Sequence, residues 1–235
     1  MPPIRPTRRP TPEEFFVPPE LAAPEGLVGV GGSLDPDWLL YAYRQGIFPW
    51  PAESGPLAWW SPDPRAIFEL DALHVSRSLA RTLRSGKFHV TCDRDFAGVM
   101  AGCATAQRRA RGTWITPAMR TAYQTLHTLG HAHSIEVWHA DQLAGGAYGV
   151  AIGGLFAAES MFYFVRDASK VALVHLLNHV RLRGYSLVDI QQLTPHTARL
   201  GASEVPRHEF LCRLARAVEQ KVDFGAELAP LDSLA

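Results

Sequence analysis

Glu159 is the first residue in this chain whose type and setting could do chemistry. It stands inside Leu155 to Phe162, the run Leu-Phe-Ala-Ala-Glu-Ser-Met-Phe, which follows the apolar-rich stretch Leu143 to Ile152 and the glycine pair Gly153-Gly154. The pattern reads as one strand of a buried hairpin. A carboxylate in such a strand must be paired, hydrogen-bonded or protonated, because burying an unpaired charge is strongly unfavourable. An interior pairing with Arg or Lys and a functional role both satisfy that demand. A second acid, Asp189, ends the short strand Tyr185 to Ile190 and is followed by Gln191 and Gln192 at the start of a loop. Polar groups at such a strand end project toward a ligand crevice, or else bond the turn below them.

Other candidates are weighed against plainer readings. Between Phe48 and Pro64 three tryptophans sit among five prolines, a composition that predicts a stiff, irregular loop displaying flat aromatic faces. Trp50, flanked by prolines, is the expected platform for a planar ligand, whereas Trp59 and Trp60 can equally plug a core. Arg77, Arg81 and Arg84 fall at i, i+4 and i+7 of one helix and Lys87 follows it, so one face is basic; Arg108, Arg109 and Arg111 form a second cluster. Such a face is either simply solvated or grips a phosphate backbone. His127, His131 and His133 do not present an i, i+4 pair, because Gly130 ends the helix between the first two, and no metal is expected. Gly29 and Gly31 begin a dinucleotide pattern that fails at Leu34. No Gly-x-Ser-x-Gly elbow is present, which disfavours a hydrolase.

The elements that must position these residues follow from length and punctuation. The chain of 235 residues is 47% hydrophobic with zero formal net charge, enough for a sizeable core and against generalised nucleic-acid binding. No apolar run reaches the roughly 20 residues of a membrane helix, and the start lacks a signal-peptide core, so a cytoplasmic protein is expected. Cys92, Cys103 and Cys212 are widely spaced and read as reduced interior residues. Residues 1–25 read as an extended Pro- and Arg-rich arm, 26–65 as a small Gly- and Trp-rich unit, and 66–235 as alternating helices and strands. Helices are expected from Pro36 to Gly46, from Ser76 to Gly86, from Phe96, from Pro117 to Gly130, from Asp167 or Ser169 to Gly184, and from Pro206 through Val218. Strands are expected at Lys87 to Cys92, Ser134 to Trp138 and the segments named above, the Ser134 strand meeting the next through a turn at Asp141-Gln142.

Taken together, Gly26-Leu-Val-Gly-Val-Gly-Gly, Tyr43-Arg-Gln-Gly-Ile-Phe-Pro-Trp50, Trp59-Trp-Ser-Pro-Asp-Pro-Arg65, His74-Val-Ser-Arg-Ser78 and Thr113-Trp-Ile-Thr116 resemble leucyl/phenylalanyl-tRNA-protein transferases. Gly130-His-Ala-His-Ser-Ile-Glu-Val-Trp138, Glu159-Ser-Met-Phe162, Ala168-Ser-Lys170 and the stretch from Asp189 through Leu200-Gly-Ala202 continue the resemblance to the final helix. It implies an α+β fold, a small N-terminal α/β unit followed by a larger acetyltransferase-like (GNAT) domain with a mixed sheet flanked by helices. It also implies transfer of Leu or Phe, sometimes Met, from aminoacyl-tRNA to the N-terminal Arg or Lys of acceptor proteins, marking them for N-end-rule degradation. No cofactor is needed, because an aminoacyl ester is already activated. The enzyme has to position it, keep the attacking α-amine neutral and stabilise the oxyanion.

By matching position, the resemblance places a catalytic pair on Asp189 and Gln191, with Asp189 polarising the Gln191 amide, and an acceptor-site acid on Glu159. It places the contacts to the 3'-terminal adenosine on Trp50 and Trp114, and the amino-acid pocket on Ala147, Phe156, Met161 and Leu176. Arg77, Arg81, Arg84 and Lys87 are the candidates for the tRNA backbone, and a monomer is expected. Ala147 and Leu176 are smaller than residues familiar at those places, which leaves the preference among Leu, Phe and Met open; Ala158 replaces a familiar Gly. The rivals are an acyl-CoA-dependent N-acetyltransferase, against which Arg166 to Ala172 lacks the glycines of a pyrophosphate loop, and a non-catalytic tRNA-binding module. Phe156, Glu159 and Met161 do not share one strand parity, so a common site demands a bulge near Glu159.

Overall fold

The structure is a computed structural model that describes residues 9–50, 55–106 and 113–231. Helix α1 (Pro12–Phe15) is capped by Thr11, whose side chain and Glu14 form a capping box. Strand β1 is Leu27–Val30, and helix α2 (Pro36–Arg44) starts on a proline and turns away at Gly46, whose φ is +73°. Strands β2 (Phe48–Pro49) and β3 (Ala58–Trp60) complete a small antiparallel sheet of order β1-β3-β2.

The larger sheet starts with β4 (Arg65–Phe68). After it come α3 (Arg77–Arg84), β5 (His89–Cys92), α4 (Phe96–Ala106), α5 (Pro117–Thr128), β6 (Ala132–His139), β7 (Gln142–Ile152) and β8 (Leu155–Tyr163). Helix α6 (Ala168–Arg183), β9 (Leu187–Gln191), α7 (Pro195–Ala198), β10 (Ala202–Val205) and α8 (Arg207–Ala217) finish the chain. The seven strands run in the order β10-β4-β9-β8-β7-β6-β5, all neighbours antiparallel except β8 and β9. Helix α6 is the crossover that parallel pair requires. Buried on nearly every side, it fills the core on one face with Val171, Leu173, Val174, Leu176 and Val180, while α2, α4 and α5 cover the other. The α+β architecture with a mixed sheet between helices is therefore the expected one.

Several local expectations are corrected. From residue 9 on, where it is described, the arm is not extended: Phe16 is buried, and Phe15 and Phe16 pack edge-on against Trp38 at 5.1 and 5.8 Å. These aromatic rings anchor a segment whose prolines and arginines alone suggested solvent. The proline-rich stretch is not wholly irregular either, since its gap between prolines admits β3, where Trp59 is fully buried and donates to the Gly31 carbonyl at 2.8 Å. Strands β4 and β10 were not read from the sequence. Cys103 is buried, but Cys212 lies on the surface of α8 rather than in the interior. Arg108, Arg109 and Arg111 lie outside the described residues. No helix among the described residues is long and apolar enough to cross a membrane.

Candidate active site

Strands β8 and β9 are paired only at Leu155–Leu187, Phe156–Val188 and Ala157–Asp189, although β8 continues to Tyr163 and β9 to Gln191. Past Ala157 they part. At the same level the β7–β8 ladder passes from Gly149–Ala158 to Tyr148–Ser160, so Glu159 is the extra residue of a bulge. The bulge resolves the parity conflict in the sequence: Phe156 and Met161, an odd number of residues apart, both join the core on the α6 face, and Phe162 joins the core on the opposite face. Glu159 is released from the ladder into the gap between the strands. Across it, Gln191 Nε2 donates to Glu159 Oε1 at 3.3 Å.

The other strand end is set by a residue the sequence reading passed over. Arg65 opens β4 and is 1% exposed; its Nε and Nη2 donate to Asp189 Oδ1 and Oδ2 at 2.8 and 2.6 Å, and Asp189 is 2% exposed. Nη1 donates to the Gly46 carbonyl at 2.9 Å, and the guanidinium lies over the rings of Phe48 and Phe210 at 4.8 and 4.4 Å. Asp189 Oδ1 also accepts the backbone N–H of Gln191 at 2.9 Å. The expected contact between Asp189 and the Gln191 side-chain amide is therefore not made; the carboxylate reaches Gln191 through its backbone. Gln191 has φ +59°, a left-handed conformation unfavourable for a residue with a Cβ and a mark of functional sites.

Glu159 is not paired with Arg65. Its partners come from the helical face: Tyr123 donates to Oε2 at 3.2 Å, and the hydroxyls of Tyr123 and Tyr43 are 2.5 Å apart. Tyr148 packs its ring edge-on to Tyr123 at 5.7 Å, and its fully buried hydroxyl has no partner among the described residues. Burial pushes the Glu159 carboxyl up to about 7; the neighbouring hydroxyls of Tyr43 and Tyr123 and the charge of Arg65 oppose the rise, and the charge of Asp189 assists it. The same burial, with Glu159 nearby, raises all three tyrosines well above the usual phenol range, so they stay neutral. The sequence offers no sign of this role for Tyr43, Tyr123 or Tyr148.

The tryptophans named from the sequence meet. The rings of Trp50 and Trp114 are 6.0 Å apart and inclined by 46°, and Trp50 is 37% exposed. Phe48 is 6.2 Å from Trp50 and covers Arg65, so ring contacts run from the tryptophan pair to the Arg65–Asp189 pair. A cleft of about 770 Å³ opens here, walled by Phe48, Trp50, Trp60, Pro64, Gln192 and Leu193. Ala147 and Met161 are opposite one another in the ladder and share a core with Phe156 and Leu176, so the four pocket candidates are brought together against α6. Arg77, Arg81, Arg84 and Lys87 are exposed on and just after α3. At the mouth of α6, Asp167 has φ 72° and accepts from Lys170 Nζ at 2.9 Å. The histidines disperse: His133 binds Asp93 at 2.6 Å, His127 meets the Ala132 carbonyl at 2.8 Å, and no metal-binding group of His, Cys, Asp and Glu forms among the described residues.

Comparison with known proteins gives the arrangement a family. Residues 67–215 match the model of the leucyl/phenylalanyl-tRNA protein transferase family, and residues 32–63 match that of its N-terminal domain. Leucyl/phenylalanyl-tRNA–protein transferase of Anaeromyxobacter dehalogenans is 54% identical over 209 residues, covering 88% of this chain and 90% of the relative. The protein of the same name from Solidesulfovibrio magneticus is 51% identical over 219 residues, covering 93% and 89%. Among solved structures, a GCN5-related N-acetyltransferase from Kribbella flavida aligns with a TM-score of 0.38 and 12% identity, over 73% of this chain and 61% of that one. On the family-model match and the identity to these relatives, the chain belongs to the leucyl/phenylalanyl-tRNA protein transferase family.

Proposed function

We propose that this protein transfers leucine or phenylalanine, and methionine where the pocket admits it, from aminoacyl-tRNA to the N-terminal Arg or Lys of acceptor proteins, forming a peptide bond and marking them for N-end-rule degradation in the cytoplasm. The observation that carries this reading is the gap between β8 and β9, where Glu159 and Gln191 face each other at 3.3 Å. Such a gap offers an acceptor amine both a carboxylate and an amide. Trp50 and Trp114 take the terminal adenine by stacking, and Ala147, Phe156, Met161 and Leu176 receive the transferred side chain. Asp189, Gln191 and Glu159 form the reaction centre, and Arg77, Arg81, Arg84 and Lys87 meet the tRNA phosphates as a monomer binds one tRNA. Residues 26–65 and 66–235 are the two units across which this site is built.

The acyl-CoA reading is less well supported, because the Asp167 carboxylate at the start of α6 opposes a pyrophosphate there. The test is transfer of labelled Leu or Phe from charged tRNA to peptides beginning with Arg or Lys, without added CoA or metal. Transfer confined to those N-termini is expected. Tight tRNA binding with no transfer would leave a tRNA-binding module in place of an enzyme.

A further inference from the structure

We propose that Glu159 is the group that takes a proton from the acceptor's α-ammonium, held for that task by a hydrogen-bond relay from Tyr43 through Tyr123, and that Asp189 is a positioning residue. The proposal deepens the transferase reading above and rests on it. Three features of the geometry support it. Both Asp189 oxygens already accept from Arg65, and one also accepts the Gln191 N–H, behind a surface that leaves 2% of the residue exposed. Three of the roughly four lone-pair sites of the carboxylate are thus taken, and burial keeps the remaining one on Oδ2 from an incoming amine. Glu159, by contrast, is lifted out of the ladder by the bulge, is only partly buried and lies in the gap.

The second feature is the direction of the relay. Tyr123 donates its hydrogen to Glu159, so the 2.5 Å contact between the hydroxyls is made by Tyr43 donating to Tyr123. Donors in series polarise one another, which strengthens the bond on the carboxylate. The relay joins α2, α5 and the β8 bulge, and so fixes the carboxylate against both helices. Third, the Gln191 amide suits either state of Glu159. Its nitrogen faces the carboxylate in one orientation. Turned by half a rotation, it donates to the carbonyls of Ile190 and Ala158 at 2.9 and 3.0 Å and presents its oxygen to a protonated Glu159. The groups around Glu159 are Tyr43, Tyr123, Tyr148, Asp189 and Arg65, with Cys103 beyond Tyr148; together they leave it able to exchange a proton near neutrality.

The step balances as follows. The Glu159 carboxylate accepts one proton from the ammonium and becomes a carboxylic acid. The freed nitrogen lone pair forms the N–C bond at the ester carbonyl. The bond from that carbon to the ribose oxygen breaks, and the departing oxygen keeps the electron pair and takes a second proton from nitrogen. Glu159 returns its proton to water as the peptide leaves.

The experiment is kcat at saturating acceptor peptide from pH 6 to 9, for wild type, Glu159→Gln and Tyr123→Phe, with thermal melting as the folding control. At pH 7 Glu159→Gln is expected to lose about 10² to 10⁴ in kcat. An α-amine of pKa about 8 goes from roughly one-tenth to nine-tenths neutral between pH 7 and 9. The kcat of Glu159→Gln should therefore rise about tenfold over that interval, against about twofold for wild type. Tyr123→Phe removes a donor to the carboxylate and should move the acid limb up by about one pH unit. The proposal is overturned if Glu159→Gln raises only KM, if its deficit is equal at pH 7 and 9, or if Tyr123→Phe lowers kcat by one factor at every pH. A wild-type protein that transfers nothing would instead remove the transferase reading itself.

Discussion

Replacing Arg65 by Met tests whether the buried ion pair is what holds the reaction centre in shape. Methionine fills much of the space between Phe48 and Phe210 but donates nothing. Asp189 would then keep only the Gln191 N–H, and the Gly46 carbonyl would lose its donor. A charge-assisted hydrogen bond contributes about 1.5–3 kcal/mol, and Arg65 makes two to Asp189. Stranding one member of a buried pair costs about 3–5 kcal/mol. We therefore expect Arg65→Met to lose about 3–5 kcal/mol, or roughly 6–20 °C in Tm for a chain of this size. Asp189→Asn keeps an oxygen for the Gln191 N–H but strands the buried Arg65 guanidinium, and should lose a comparable amount, about 3–5 kcal/mol. Joining the two substitutions removes both charges, and the double variant should recover to within about 2 kcal/mol of wild type, a coupling of several kcal/mol between the sites. Urea unfolding of the four proteins gives the cycle, and transfer at saturating substrates shows whether the restored fold is also active. Additive losses, or a loss below about 1 kcal/mol for Arg65→Met, would refute the reasoning.

Three further outcomes are expected. Trp50→Ala and Trp114→Ala should each weaken aminoacyl-tRNA by about 5- to 150-fold, one stacked base at about 1–3 kcal/mol, with the KM for the acceptor peptide unchanged. Converting Arg77, Arg81 and Arg84 together to Ala should lower the slope of log affinity against log salt by about 2 to 3, whereas a merely solvated face would leave it as it was. Ala147→Met, opposite Met161 in the ladder, should cut Phe transfer at least about tenfold more than Leu transfer, at an overpacking cost of about 1–3 kcal/mol in urea unfolding; equal losses for both amino acids would remove Ala147 from the pocket wall.

Much of the fold was legible because its punctuation is strong. Thr116-Pro117 and Gly184 mark helix ends in the structure as they do in the sequence, and Gly153-Gly154 turns the β7–β8 hairpin. What failed was composition used as a substitute for packing. Phe15 and Phe16 sit among prolines and charges, yet two adjacent rings suffice to fold a short segment onto Trp38. Strands β4, buried at all four positions, and β10 were invisible for want of a pattern rather than of length, since β5 is equally short. Neither carries enough alternation to show a period.

The site divides along a different line. Glu159 was conspicuous because a charge in an apolar strand needs a reason, and the same rule applied to Arg65 would have exposed it. Arg65-Ala-Ile-Phe and Val188-Asp-Ile are both apolar runs carrying one charge, of opposite sign, and the structure joins them. The tyrosines could not be found that way, since a hydroxyl on a core helix is ordinary until its partner is known. The parity of Phe156, Glu159 and Met161 was the most informative signal. Three residues that cannot share a face in a regular strand can serve one site only through a bulge, and the bulge falls on Glu159 itself. Had the ladder stayed regular, Glu159 would have been held within it and Met161 would have faced away from Phe156. The defect that frees the carboxylate thus also turns Phe156 and Met161, the proposed pocket residues, to one side. Deleting the bulge residue should therefore abolish both proton transfer and side-chain selection, while a Glu159→Ala protein, which keeps the backbone count, should lose the first and retain its ranking of Leu against Phe. A Glu159→Ala protein with scrambled amino-acid preference would show that the carboxylate, rather than the bulge, organises the pocket.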